Sequence, residues 1–225
     1  MFSKLRSLIF KIDPEIAHNL AIKSLKFNFV TNIFDQNKND PMFQTTLFGK
    51  KIDNPIGMAA GFDKNAEVYN PLFRLGFGFV EVGTVTPLKQ FGNPKPRVFR
   101  LEEDQALINR LGFNSFGAND VNSTIRSNPP NGLLGVNIGP NKDTKDKLND
   151  YLICLKTFHD IADYITINIS SPNTENLRDF HDQNKFEKLI SSIEKAMKEL
   201  KSNTPIVVKI SPDILNEQAA QISEI

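Results

Sequence analysis

Five apolar stretches, NPIGMAA (54–60), FVEVGTV (79–85), LLGVNIG (133–139), YITINIS (164–170) and PIVVKIS (205–211), are short enough to read as strands. Between them Ala66–Leu75, Phe116–Arg126, Lys147–Ala162 and Phe186–Leu200 carry apolar residues at helical spacing, and another helix is expected from about Asp213. Strand and helix alternate, which predicts a parallel sheet with helical crossovers, either open and doubly wound or closed as a (β/α)8 barrel. The strands are two-faced. Ile165, Ile167 and Ile169 alternate with Thr166, Asn168 and Ser170; Leu134, Val136 and Ile138 alternate with Gly135, Asn137 and Gly139; Lys209 and Val207 stand apart from Ile206, Val208 and Ile210. A polar face on a strand covered from both sides needs partners, and a barrel lumen supplies them near its C-terminal mouth. No strand is followed by GxGxxG or GxxxxGK[ST], which also favours the barrel over an open nucleotide-binding sheet.

Ahead of the strands, Phe2, Leu5, Ile9 and Ile12 share a helical face opposite Lys4 and Lys11, and Asp13-Pro14-Glu15 caps a second helix bearing Ile16, Leu20 and Leu25. Residues 1–40 are expected to form an amphipathic helical pair with a polar linker (35–40), and residues 41–225 the barrel part, entered through a hairpin around Phe48-Gly49-Lys50. The pair either packs on the barrel or lies on a membrane surface. It has neither an apolar run of about 20 residues nor a signal-peptide cleavage pattern. At 225 residues and 40% hydrophobic the chain can bury a core, and a net charge of +1 gives no basic field to attract nucleic acid. Cys154 is the only cysteine, which excludes an internal disulfide and a cysteine-based zinc site, so a cytoplasmic setting is expected.

Chemistry concentrates after the strands. GMAAGFDKN (57–65) leaves backbone room for a flat ligand and then offers Lys64. Residues 86–116 carry no clear helical pattern and have the length of a lid or binding loop, ending in Asn109-Arg110-Leu111-Gly112-Phe113-Asn114. Asn137, Asn168 and Lys209 lie on the polar strand faces.

Taken in order, AAGFDKN, EVGTVTP, GNPKPRVFRLEEDQALINRLGFNS, GVNIG, INISSPNT and VVKISPD closely resemble the class 2 (quinone-dependent) dihydroorotate dehydrogenases, from about residue 8 to the last residue. The resemblance implies an FMN-dependent (β/α)8 barrel that oxidises dihydroorotate to orotate in pyrimidine synthesis and reduces a membrane quinone from the cytoplasmic side of the membrane, as a peripheral protein. By the same resemblance Ala60, Gly61, Lys64, Thr84, Asn137, Asn168 and Lys209 touch FMN. Lys64, Asn109, Arg110, Leu111, Gly112, Phe113, Asn168 and Asn173 hold the substrate, and Ser171 is the base that takes the C5 proton while a hydride leaves C6. His18 and Arg100 match polar residues at the inner end of the quinone tunnel, and no metal is implied. Relatives using soluble acceptors have a cysteine as base; Cys154 instead sits in a helix and reads as a core thiol. Thr84 fits the alternation poorly, since it shares parity with Val80 and Val82. His159 and His181 match nothing and read as surface residues.

A full barrel takes about 250 residues, whereas five βα units are countable here and the last helix runs to residue 225 without a stop signal. The expectation is a C-terminally truncated barrel that holds FMN weakly or not at all. Two alternatives stand beside the main reading: a non-catalytic barrel fragment without flavin, and another FMN barrel such as a tRNA dihydrouridine reductase.

Overall fold

The computed structural model describes residues 6, 9–27 and 40–225. Phe2, Lys4 and Leu5 of the expected first helix, and the linker up to Asn39, lie outside them. Helix α1 (Pro14–Leu25) begins where its sequence predicts: the Asp13 carboxylate accepts from the Glu15 and Ile16 N–H groups at 2.9 and 3.0 Å, and Pro14 occupies the first turn. The buried face is Ile22 and Leu25, while Ile16 and Leu20 point outward.

Strands β1 (Thr45–Leu47) and β2 (Lys50–Ile52) form the expected hairpin, with Phe48 and Gly49 both at positive φ, the turn that matches strand twist. Ile52 packs with Leu133 and Tyr164, so the hairpin plugs the N-terminal end of the main sheet. That sheet comprises β3 (Gly57–Met58), β4 (Phe79–Val85), then β7 (Leu133–Ile138), β8 (Tyr164–Asn168) and β9 (Ile206–Lys209), all parallel and in that spatial order. Residues 86–116 hold an element that the sequence does not announce, an antiparallel hairpin of β5 (Val98–Leu101) and β6 (Ala106–Asn109). Its strands are short, and mostly exposed side chains blur the alternation that would reveal them.

The crossovers are α2 (Tyr69–Arg74), α3 (Ala118–Ser127), α4 (Lys147–Phe158) and α5 (Gln183–Leu200), followed by α6 (Asn216–Ser223). Each central crossover buries one stripe: Val121 and Ile125 on α3, Cys154, Leu155 and Phe158 on α4, Leu189 and Ile193 on α5. These stripes meet Val80, Val82, Leu134, Val136, Ile165 and Ile167, the aliphatic strand face. The other face of this five-stranded sheet, which does not close among the described residues, is the one expected to line a barrel lumen. Cys154 is a fully buried core thiol.

Candidate functional site

The lumen face is a continuous polar chain built by four strands. Asn137 on β7 donates from Nδ2 to Glu81 Oε1 on β4 at 2.8 Å, and its Oδ1 accepts from Thr84 Oγ1 at 2.6 Å. Asn168, at the end of β8, donates to Thr84 Oγ1 at 3.0 Å and to Asn137 Oδ1 at 3.2 Å, and its Oδ1 accepts from Ser170 Oγ at 2.7 Å. Lys209 on β9 pairs in register with Asn168 and finds its polar partner in Ser170 Oγ at 3.0 Å. Gly135 leaves the space Tyr164 fills, since a Cβ there would stand 2.1 Å from the tyrosine ring.

Thr84 reaches this face against the parity of its strand, and the register explains how. Pairing of β4 with β7 slips between Val82 and Val85, a bulge that turns Thr84 inward and returns Val85 to the helix-facing side. Gly83 makes the bulge possible: its φ is +113°, and a Cβ would meet the Asn137 carbonyl oxygen at 2.4 Å.

Above the chain lies a cavity of about 500 Å³ at the C-terminal ends of the strands. Ala60, Gly61, Lys64, Thr84, Asn137, Asn168 and Lys209 line it. So do Asn109, Leu111, Gly112, Phe113, Ser171 and Asn173. Ser171 Oγ accepts the Asn173 N–H at 3.2 Å, and Asn173 Nδ2 reaches the Asn109 carbonyl at 3.4 Å, tying the loop after β8 to the end of β6. A Cβ on Gly61 would meet nothing within 4 Å, so one wall is open enough for a flat ring. The two asparagine amides and the Lys209 side chain line the same cavity. This donor set and this space fit the ring portion of a flavin.

Lys64 makes no hydrogen bond or ion pair among the described residues. Burial, with Arg97 nearby, lowers its pKa to about 8. Such a site favours an anion, which would restore the charged form.

Arg110 is not part of the cavity wall. Its guanidinium donates to the Pro96 carbonyl at 2.9 Å and stacks over Phe99, because residue 110 follows a strand whose side chains alternate and so points away from Asn109 and Leu111. His181 is buried rather than on the surface: its Nε2 accepts the Ser211 N–H at 3.2 Å, and burial holds its pKa below the ordinary histidine value. Arg178 and Glu81 carry no sequence assignment. Arg178 lines the cavity, donating to the Ser170 carbonyl at 3.1 Å and pairing with Asp213 at 3.1 Å. Glu81 anchors the lumen chain; its position between Val80 and Val82 is the same signal that marks Lys209 between Val208 and Ile210.

A second cavity, of about 280 Å³, adjoins the first through shared Gly61, Lys64 and Leu111. His18 and Arg100 both line it. His18 packs edge-on to Phe62, and Arg100 donates to the Phe10 and Ile12 carbonyls at 3.1 and 2.6 Å, pinning the N-terminal segment to β5.

Residues 42–225 match the family model described as dihydroorotate dehydrogenase. The chain belongs to the dihydroorotate dehydrogenase family. Among relatives, the dihydroorotate dehydrogenase (quinone) of Bartonella tribocorum is 49% identical, aligned over 97% of this chain and 61% of the relative. That of Buchnera aphidicola subsp. Schizaphis graminum is 45% identical over 97% of this chain and 67% of its own length. The ferulenol complex of dihydroorotate dehydrogenase from Eimeria tenella superposes with a TM-score of 0.85 at 36% identity, over 94% of this chain and 63% of that one. The ligand-free Eimeria enzyme gives 0.87. The five parallel strands are thus part of a dihydroorotate dehydrogenase (β/α)8 barrel, and the chain spans about three fifths of the length of the first relatives it matches.

Proposed function

We propose that this dihydroorotate dehydrogenase-family chain carries the part of an FMN-dependent, quinone-reducing enzyme that binds dihydroorotate and removes its C5 proton. The observation that carries the reading is the meeting of Lys64, Asn168, Ser171, Asn173 and Lys209 around one cavity, at the ends of different strands. When bound, FMN supplies the two-electron acceptor. Ala60, Gly61, Thr84, Asn137, Asn168 and Lys209 would hold its ring. The substrate's carboxylate would sit against Lys64, its imide edge against the side chains of Asn109, Asn168 and Asn173, and its apolar ring edge against Leu111 and Phe113. Ser171 Oγ would take the proton as its own hydroxyl proton passes to water, with the Asn173 N–H, which donates to Oγ, offsetting negative charge on that oxygen between the two transfers.

On the same reading residues 1–40 form a separate module, and the smaller cavity beside His18 and Arg100 receives the quinone. The exposed Ile16 and Leu20 of α1 support a peripheral resting place on the cytoplasmic face of a membrane; among the described residues no helix is long and apolar enough to cross one. One observation favours a second reading, a barrel part without catalysis: among the described residues β9 pairs only with β8, so the lumen is walled on one side by these strands alone.

The test is anaerobic titration of FMN into the protein, followed by dihydroorotate. If flavin binds, dihydroorotate should bleach it, and Ser171→Ala should slow the bleaching roughly 10²-fold with flavin affinity unchanged. Bound flavin that dihydroorotate never bleaches overturns the first reading, and absence of flavin binding selects the second.

A further inference from the structure

Glu81 meets three donors from two strands: Asn137 Nδ2 at 2.8 Å, Tyr164 OH at 3.0 Å and Thr166 Oγ1 at 2.9 Å. A carboxylate offers acceptors only, so Asn137 has to turn its nitrogen toward Glu81 and its oxygen the other way. That oxygen then takes the Thr84 hydroxyl and the Asn168 amide nitrogen. With its nitrogen committed, Asn168 presents its oxygen to the Ser170 N–H at 3.1 Å and hydroxyl at 2.7 Å. The Ser170 oxygen is left to accept from Lys209. An asparagine amide is nearly symmetrical in shape, and nothing in packing alone separates its two orientations. The sense of the whole chain is set at its one anionic end.

We infer that Glu81 is a positioning residue whose carboxylate fixes which atoms of Asn137 and Asn168 face the cavity. It thereby selects a flat heteroaromatic ring whose edge has the complementary order of donors and acceptors. The inference rests on the flavin reading of the cavity for its ligand, but not for its geometry. Tyr164 and Thr166 complete the anchor: they satisfy the second carboxylate oxygen, so Glu81 cannot swing away without leaving two hydroxyls unpaired in the lumen.

The experiment uses the full chain in three variants, Glu81→Leu, Asn137→Asp, and the exchange Glu81→Gln with Asn137→Asp. The exchange moves the charge by one residue yet preserves every bond. The amide introduced at position 81 donates to the carboxylate introduced at position 137 and accepts from the two hydroxyls, and that carboxylate still accepts from Thr84 and Asn168. The first readout is the pair of side-chain amide NMR signals of Asn168 in protein without flavin; the second is FMN affinity. Glu81→Leu and Asn137→Asp are each expected to displace or broaden the Asn168 pair and to weaken FMN roughly tenfold, the scale of one uncompensated buried hydrogen bond. The exchange should return both readouts close to wild type. An Asn168 pair unmoved in the single variants, or still displaced in the exchange, overturns the inference. If Glu81→Leu does not fold, Asn137→Asp against the exchange decides the matter. If wild-type protein takes up no FMN, the flavin reading fails while the amide signals still judge Glu81.

Discussion

Glu15→Gln should loosen the N-terminal helix from the barrel by an amount that can be worked out. Glu15 on α1 and Arg97 at the start of β5 form a two-pronged pair, Nη2 to Oε1 at 2.7 Å and Nε to Oε2 at 3.1 Å, with side chains 13% and 7% exposed. The remaining Arg97 nitrogen donates to the Phe91 and Asn93 carbonyls, so the guanidinium is fully committed. Removing one partner of a buried pair costs about 3–5 kcal/mol. Here the glutamine oxygen still accepts one bond, and the Lys95 side of Glu15 is open to water, which brings the loss to about 1.5–3 kcal/mol. For a chain of this size that lowers Tm by about 3–12 °C. The pH dependence has a definite sign. The Arg97 hydrogen bonds hold the Glu15 carboxyl below the ordinary glutamate range against the opposing effect of burial. A depressed carboxylate contributes stability above its unfolded-state pKa and loses it as pH falls through the folded value. The gap between wild type and variant should therefore be full near neutrality and shrink below about pH 4. Circular-dichroism melts of both proteins at the two pH values measure it. A gap under about 1 °C at neutral pH, or one that widens on acidification, would refute the reasoning.

Three further outcomes are expected. Because Lys64 titrates at about 8, orotate affinity measured calorimetrically should fall as pH rises through that value; a flat profile between about pH 7 and 9 would remove Lys64 from the anion site. Cys154 is buried in α4 with its pKa raised by burial, so iodoacetamide should label it only after unfolding, and rapid labelling of native protein would show that this helix face opens. Gly135→Ala drives a methyl into the Tyr164 ring and should destabilise the chain by about 1–3 kcal/mol in urea titration, partly recovered by Tyr164→Val; no change would mean that β7 and β8 shift apart without cost.

How far the sequence carries depends on which physical signal each element leaves. Strand alternation is strong where one face meets helices, so Asn137, Asn168 and Lys209 are legible as lumen residues from the aliphatic neighbours that flank them. Thr84 is legible only through the family resemblance, because a bulge breaks the period and the bulge depends on a glycine whose φ no pattern displays. The β5–β6 hairpin leaves no signal since few of its side chains are buried. His181 and Arg178 take their roles from Ser211 and Asp213, 30 residues or more along the chain, and such pairings are tertiary facts. Glu81 is different. A carboxylate inside an apolar strand is as conspicuous as Lys209, and the requirement for buried partners applies equally to both signs of charge.

The wall shared by the two cavities makes them electrostatically dependent on each other, and His18 can report it. Its pKa is held below the ordinary histidine value first by burial and next by the Lys64 charge, with Glu15 and Glu67 pulling the other way. An anion seated against Lys64 in the larger cavity offsets the second of these causes without touching His18. The imidazole should then gain a proton more readily, so its pKa should rise on orotate binding. The sign follows from charge alone: a neutralised cation repels an imidazolium less. A proton NMR titration of the His18 ring, with and without saturating orotate, measures the change, and Lys64→Met supplies the reference in which orotate should have no effect. A His18 pKa that stays fixed or falls on binding would mean that the anion does not sit against Lys64, and the two cavities would then have to be treated as separate sites.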